Sequence, residues 1–157
     1  MGAIGINHVS ISADRLDESV RFYAEIFGLE EVATPEFGFP VQWMRLGAGQ
    51  LHIFERPGTH VPSHHHIALN VDDFPAVLRE VLARGIEDRT AFGHWLYRLP
   101  DGAAQMYLRD PGRNLVEINW PSIDELDPEL TAEARPLPRP QEGKAATATL
   151  FLGRREP

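Results

Sequence analysis

Hydrophobic and polar residues alternate over Asn7–Ala13, with Val9 and Ile11 at the apolar positions. A period of two is that of a β-strand, so the segment is predicted to form one. The apolar residues that follow are spaced as in an α-helix, which we expect Asp14 to cap and Gly28 to end. The predicted apolar stripe of this helix consists of Leu16, Val20, Tyr23, Ala24 and Phe27.

After Gly28 the pattern becomes that of strands again. It predicts a short edge strand around Glu31–Val32 and two longer strands, Val41–Leu46 and Gln50–Glu55. The two longer strands are separated by the turn Gly47-Ala48-Gly49. The first part of the chain therefore has the order β-α-β-β-β.

The same order restarts at the strand His65–Val71. A helix follows, which we expect Asp72 to cap and Gly85 to end, with Leu82 among its apolar residues. The β-like stretches after it are Glu87–Arg89, Trp95–Leu99, Gln105–Leu108 and Leu115–Trp120. The sequence thus predicts an α+β fold of tandem βαβββ modules, at about residues 4–56 and 64–121, in one domain spanning residues 1–121.

Residues 122–157 have a different character, because acidic residues are followed by the proline-rich run Arg135–Pro140. We predict a tail that wraps the surface or lacks regular structure, and we assign it no chemistry. Within it, the apolar stretch Ala148–Leu152 is a candidate edge strand.

Composition excludes several classes of function. The 157 residues include no Cys, which removes disulfides, iron–sulfur clusters and Cys-ligated zinc. A formal net charge of -8 argues against nucleic acids and anionic membranes as partners. No apolar run approaches the roughly 20 residues of a membrane span, and the first residues lack a signal-peptide pattern, so we expect a soluble cytoplasmic protein.

Four residues occupy equivalent strand positions in the two modules. His8 and His66 lie on the first strands, and His52 and Glu117 lie on the last. Strand alternation places each of them opposite the aliphatic stripe of its strand. If that face is concave, three imidazoles and one carboxylate converge into a ligand set for iron, manganese, zinc or nickel.

These paired modules resemble the vicinal oxygen chelate superfamily, which includes glyoxalase I, fosfomycin- and bleomycin-resistance proteins and extradiol dioxygenases. The resemblance implies an eight-stranded, U-shaped mixed sheet with helices on its outer face. It also implies a metal that binds a small-molecule substrate through two neighbouring oxygens, and a homodimer.

The segment Met106–Glu117 is similar to the signature of type I extradiol ring-cleavage dioxygenases, with Tyr107 ten positions before Glu117. This resemblance implies an iron(II) site formed by His8, His66 and Glu117, with His52 and Tyr107 as catalytic neighbours.

Two features depart from the signature. Pro111-Gly112-Arg113 replaces its usual Pro-x-Gly, and its leading His is absent from the expected place, near Arg98. His94, a few residues earlier, is a candidate substitute for that His.

The predicted activity is cleavage of a catechol-like ring with O2, dependent on Fe(II), with Mn, Zn or Ni as alternative metals. In the first alternative the chain is a redox-neutral glyoxalase- or epimerase-like lyase or isomerase, and His52 is a fourth metal ligand. In the second alternative the chain is a small-molecule-binding resistance protein. Candidate apolar walls for an aromatic substrate are Trp43, Phe54, Phe92, Trp95 and Tyr97.

Overall fold

A computed structural model describes residues 2–150 of the chain. The strands are β1 His8–Ala13, β2 Glu31–Val32, β3 Val41–Leu46, β4 Gly49–Glu55, β5 His66–Asn70, β6 Leu96–Arg98, β7 Ala104–Arg109, β8 Leu115–Trp120 and β9 Arg135–Pro136. The helices are α1 Leu16–Phe27 and α2 Phe74–Arg84, with short 3-10 helices at Ile123–Glu125 and Gly143–Thr147. The predicted α+β fold class and the repeated β-α-β-β-β order are confirmed.

Hydrogen bonds join the strands into two mixed sheets. One has the order β1-β4-β3-β2 and the other the order β5-β8-β7-β6-β9. In each sheet the first strand of the module pairs in parallel with the last, β1 with β4 and β5 with β8. The prediction of a strand at Glu87–Arg89 is wrong, because only an isolated bridge between Glu87 and Leu108 forms there.

The described residues form two compact units. The first unit comprises residues 2–65 and 109–114, and the second comprises residues 66–108 and 115–150. In the first unit α1 packs against β3 and β4, and in the second unit α2 packs against β8. Across residues 2–150, no helix has the length and apolar character needed to cross a membrane.

The N-terminus of α1 differs from the prediction. Arg15 is the N-cap residue and makes no side-chain cap hydrogen bond, whereas the amide of Leu16 donates to Glu55 Oε2 at 2.9 Å. Asp14 instead accepts a hydrogen bond from the amide of Gly58 at 2.9 Å. The first amide of α1, which has no acceptor within the helix, therefore donates to a side chain of β4 and not to the predicted cap, Asp14.

The buried face of α1 also differs from the predicted stripe. Tyr23 is fully buried, but Ala24 is exposed. The residues of the helix that are buried are Ser19, Phe22, Tyr23 and Ile26. The observed and predicted sets share Tyr23, and the buried face is therefore turned about the helix axis relative to the predicted stripe.

The second helix is capped one residue later than predicted. Asp73, not Asp72, accepts a hydrogen bond from the amide of Ala76 at 2.9 Å. Leu82 is 38% exposed although its spacing suggested the apolar face. The C-terminal prediction is confirmed for both helices, because Gly28 and Gly85 adopt left-handed conformations with φ of 64° and 61°.

A tightly bonded turn precedes β8. Tyr23 donates to Asp110 Oδ2 at 3.0 Å, and Asn114 Nδ2 donates to the Ser12 carbonyl and to Asp110 Oδ2, both at 2.8 Å. A Cβ at Gly112 would lie 2.5 Å from the Ser12 carbonyl oxygen, so this position requires glycine. The turn is thereby anchored to β1 and α1, and burial raises the pKa of Asp110.

Part of the predicted tail has regular structure. β9 pairs in parallel with β6, and the side chains of Ile123 and Leu126 are buried. The candidate edge strand Ala148–Leu152 does not form over Ala148–Leu150, and its last two residues lie outside the described residues.

We expect Tyr23→Phe to lower the free energy of unfolding by about 1.5–3 kcal/mol, because it removes a buried hydrogen bond to a carboxylate. The control is Tyr97→Phe, which removes a partly buried hydrogen bond to the neutral Phe92 carbonyl and should cost only about 0.5–1.5 kcal/mol. Urea denaturation of both variants at pH 7 measures the difference. Equal losses would contradict a role for the Asp110 charge.

Candidate metal centre

The strand register gives both units the same diagonal arrangement of candidate ligands. On β1 and β4, His8 lies opposite Gln50 and Ser10 lies opposite His52. On β5 and β8, His66 lies opposite Leu115 and Ala68 lies opposite Glu117. In each unit the second candidate is therefore two residues further along the sheet, and residues two apart on a strand share a face.

In the first unit, His52 lies between two parallel rings. Its ring centroid is 4.3 Å from that of Trp43, with an interplanar angle of 5°. On the other side it is 4.2 Å from the ring centroid of His8, with an angle of 12°. His52 is 7% exposed, so the stack restricts both its rotation and its access to water.

Hydrogen bonds complete the surroundings of the two imidazoles. His52 Nε2 lies 2.9 Å from Gln50 Oε1, and His8 Nδ1 lies 2.8 Å from Asn7 Oδ1. With the Gln50 oxygen as acceptor, His52 carries its proton on Nε2 and a lone pair on Nδ1. Burial, and then the neighbouring His8, lower the pKa of His52, which favours the neutral ring at pH 7.

The stack bears directly on which imidazoles can share a cation. A metal ion bonded to an imidazole nitrogen lies in the plane of that ring, along the lone pair. The planes of His8 and His52 are nearly parallel and are separated by a stacking distance. In this arrangement one cation cannot lie in both planes, which disfavours a cation shared by His8 and His52.

In the second unit, His66 and Glu117 form a close pair. His66 Nε2 lies 3.2 Å from Glu117 Oε2. The other carboxylate oxygen, Oε1, accepts hydrogen bonds from Gln105 Nε2 and Asn119 Nδ2, each at 2.9 Å. Two amides thus compensate a carboxylate whose side chain is only 6% exposed, and Oε2 faces the imidazole.

Tyr107 also belongs to this group. Burial raises the pKa of Tyr107, and the charge of Glu117 and a hydrogen bond to it raise the pKa further. The Tyr107 ring is perpendicular to that of His66, with centroids 6.1 Å apart, and lies 4.7 Å from the ring of Phe92. Tyr107 therefore remains a protonated donor beside the His66–Glu117 pair.

The structure places His94 elsewhere in the second unit. Its Nε2 lies 2.7 Å from the carbonyl oxygen of Glu133, and its ring contacts those of Trp95 and Tyr97. Trp95 and Tyr97, two of the candidate substrate walls, are buried at 1% and 6% exposure. Phe92 is 39% exposed, and its ring lies 5.9 Å from that of His66.

Neither unit, over residues 2–150, contains a group of three or more His, Asp or Glu side chains placed to hold a metal ion by themselves. The first unit brings the rings of His8 and His52 into contact, and the second unit brings His66 next to Glu117. Sequence reasoning missed the amides that hold these pairs, which are Gln50, Gln105 and Asn119. Gln50 and Asn119 each lie two residues from a predicted site residue on the same strand, so the period-two rule could have found both.

The family model of the Glyoxalase/Bleomycin resistance protein/Dioxygenase superfamily matches residues 5–118. The chain belongs to this superfamily. The matched residues extend over both βαβββ modules and include all four candidate ligands. A search of curated proteins finds no match for the chain.

Solved structures of the superfamily share the fold. A glyoxalase family protein from Bacillus anthracis is 25% identical, with a TM-score of 0.61 over 76% of this chain and 96% of that one. Lactoylglutathione lyase from Agrobacterium tumefaciens is 24% identical, with a TM-score of 0.58 over 76% and 95%. The fosfomycin resistance protein FosX from Listeria monocytogenes, in a mutant form complexed with Mn(II) and 1S,2S-dihydroxypropylphosphonic acid, is 16% identical, with a TM-score of 0.61 over 79% and 97%.

We expect one neutral tautomer of His52 to predominate, and Gln50→Leu to produce a mixture by removing the acceptor from Nε2. Long-range 1H–15N spectra of the histidine rings measure this. Gln42→Leu, on neighbouring β3, is the control, since Gln42 bonds Val32, Thr34 and Trp43 rather than His52. An unchanged His52 spectrum in Gln50→Leu would contradict the assigned hydrogen bond.

Proposed function

We propose that this chain is an iron(II)-dependent extradiol-type dioxygenase, with His8, His66 and Glu117 as metal ligands. Two neutral imidazoles and one carboxylate are the donor set of non-haem iron oxygenases, and they leave coordination positions open. Manganese is the principal alternative, because FosX, which shares the fold, has been crystallised with Mn(II). Zinc and nickel remain alternatives on ligand chemistry alone.

The geometry of the His66–Glu117 pair fits neighbouring ligands on one cation. Metal–nitrogen and metal–oxygen bonds of about 2.0–2.2 Å place adjacent donors roughly 3 Å apart, and these two atoms are separated by 3.2 Å. The proposed third ligand, His8, belongs to the other unit.

The stack of His8 on His52 is the observation that favours dioxygenase over lyase. The lyase alternative needs His52 as a fourth ligand beside His8, and the parallel stacking of the two rings argues against a cation shared by both. His52 is left as a neutral base next to the metal ligand, with Nδ1 as its free lone pair. That is the role the dioxygenase proposal requires.

The proposed substrate is a catechol-like aromatic compound that binds through its two neighbouring oxygens, with O2 as co-substrate. Bound iron(II) would lower the pKa of a substrate hydroxyl and hold the reactants adjacent. His52 takes a proton from the second hydroxyl at Nδ1 and returns it later. The ring carbon–carbon bond beside one hydroxyl carbon breaks, and both atoms of O2 enter the product.

Other side chains orient the substrate in this proposal. Tyr107, whose raised pKa keeps the phenol protonated, exchanges its hydrogen bond to Glu117 for one to a substrate oxygen. Phe92 and Trp43 provide aromatic surfaces beside His66 and His52. His94, retained as a candidate from the sequence, acts through Tyr97, whose ring lies 6.5 Å from that of Tyr107.

The test is anaerobic reconstitution with Fe(II), or with Mn(II), Zn(II) or Ni(II), followed by oxygen uptake and absorbance measurements with a panel of catechols. We expect oxygen uptake and a yellow ring-opened product with the iron-loaded protein. Metal binding without oxygen uptake, but with turnover of a redox-neutral substrate, would favour the lyase or isomerase alternative. Ligand binding without turnover of any substrate would favour the resistance-protein alternative.

Three histidine variants separate metal ligation from proton transfer. We expect His66→Ala to lose the metal, and His52→Ala to retain it while turnover falls at least 100-fold, the usual contribution of a general base. His64→Ala, two residues before the proposed ligand, is the control and should retain both. Elemental analysis of the metal content distinguishes a base from a ligand at position 52. Loss of metal in His52→Ala would support the four-ligand site instead.

We expect Gln105→Leu to weaken metal affinity about 10–100-fold, because Glu117 Oε1 loses one of its two amide donors. The measurement is competition with a chelator of known affinity. Gln42→Leu again serves as control, since Gln42 lies in the other unit and its amide donates to Val32, Thr34 and Trp43. Unchanged affinity in Gln105→Leu would show that the amide does not support the ligand.

A further inference from the structure

A cleft lies within the first unit, and no candidate metal ligand lines it. Its volume is about 360 Å³. The residues that line it are Thr59, His60, Val61, Ser63, Arg109 and Arg113. Two of the six are arginines and none is acidic, in a chain whose formal net charge is -8.

Backbone carbonyls hold one of the two arginines in place. Arg109 Nη1 donates to the Arg113 carbonyl and Nη2 donates to the Ser63 carbonyl, each at 2.9 Å. These carbonyls belong to two separate segments of the chain that meet at the cleft. The Arg109 guanidinium is therefore positioned before any ligand arrives, which lowers the entropic cost of binding one.

The second arginine occupies an unusual backbone conformation. Arg113 has a φ of 65°, and among the residues that the structure describes it is the only non-glycine with positive φ. A long side chain is disfavoured there, and glycine or asparagine is the usual residue. Strain of this kind concentrates at functional sites, which indicates a use for the Arg113 side chain.

The Arg113 side chain is available to a ligand. It is 65% exposed, and its Nη2 forms an ion pair with Asp14 Oδ2 at 3.7 Å. This distance is longer than a hydrogen bond, so a ligand competes only with a weak, solvent-exposed ion pair. The hydroxyls of Thr59 and Ser63 are already engaged with the Arg56 carbonyl and His64 Nδ1. Recognition in the cleft therefore rests first on the exposed Arg113 guanidinium, beside which lie the Arg109 guanidinium and His60.

We propose that this cleft binds the phosphate group of a small molecule. Guanidinium groups offer paired N–H donors that match the oxygens of phosphate, and they remain charged at any physiological pH. The volume falls within the range of small-molecule sites, about 300–1,000 Å³, so the cleft has room for an organic portion beside the phosphate. The site uses none of the proposed metal ligands and does not depend on the proposed reaction.

Titration of the full-length protein with inorganic phosphate tests the proposal, with a chelator present so that bound metal contributes nothing. The signals followed are the arginine side-chain N–H resonances. We expect saturable shifts of Arg109 and Arg113, and an affinity at least tenfold weaker in Arg113→Gln, because a charge-assisted hydrogen bond is lost. Acetate should bind more weakly than phosphate, and equal or tighter binding of acetate would overturn the assignment to phosphate.

Arg45→Gln is a matched control. Arg45 is 64% exposed and its Nε also lies 3.7 Å from a carboxylate, that of Glu30, but it lies outside the cleft. This variant removes the same charge from a similar environment and should retain the phosphate affinity. An equal loss of affinity in both variants would show that phosphate responds to the net charge of the protein and not to this cleft, and would overturn the proposal.

Arg113→Gly separates binding from folding. Glycine accepts the left-handed conformation, so the melting temperature should equal or exceed that of the wild type while phosphate affinity falls as in Arg113→Gln. Unchanged phosphate affinity in Arg113→Gly would overturn the proposal, because the folded turn would then bind without the side chain.

Discussion

Parallel pairing between the first and last strands of each module places the candidate ligands. Because β1 pairs with β4 and β5 with β8, residues more than 40 positions apart in the chain become diagonal neighbours on one sheet face. A shift of one residue in either register would move one member of the pair to the opposite face. The site therefore depends on the register more than on any single side chain.

Two different solutions keep polar groups buried at these equivalent positions. Glu117 is a carboxylate, and two amides and the Tyr107 hydroxyl compensate its desolvation. His52 is neutral, and the faces of Trp43 and His8 enclose it while one amide holds its nitrogen. Equivalent positions of the two modules thus hold a carboxylate, Glu117, and a neutral imidazole, His52. We therefore assign Glu117 as a metal ligand and His52 as a base.

Two consecutive backbone positions in the turn before β8 favour glycine, for different reasons. At Gly112 the close approach of the Ser12 carbonyl excludes any side chain. At Arg113 the backbone favours glycine, yet a long cationic side chain is present. The signature that this segment resembles has glycine one residue later in the turn, at the position of Arg113. The departure noted in the sequence therefore coincides with the strained residue and with the arginine-lined cleft.

The sequence by itself determined the order of strands and helices and their division into two modules. It also determined on which strands the candidate ligands lie, which are His8, His52, His66 and Glu117. These follow from periodicity and from glycine at helix ends, which depend on neighbours only a few residues apart. Only the tertiary structure decided that Glu55, 39 residues away, bonds the first amide of α1 in place of Asp14, and that His52 stacks on His8. Such partners meet through strand pairing and packing, so no local pattern in the chain records them.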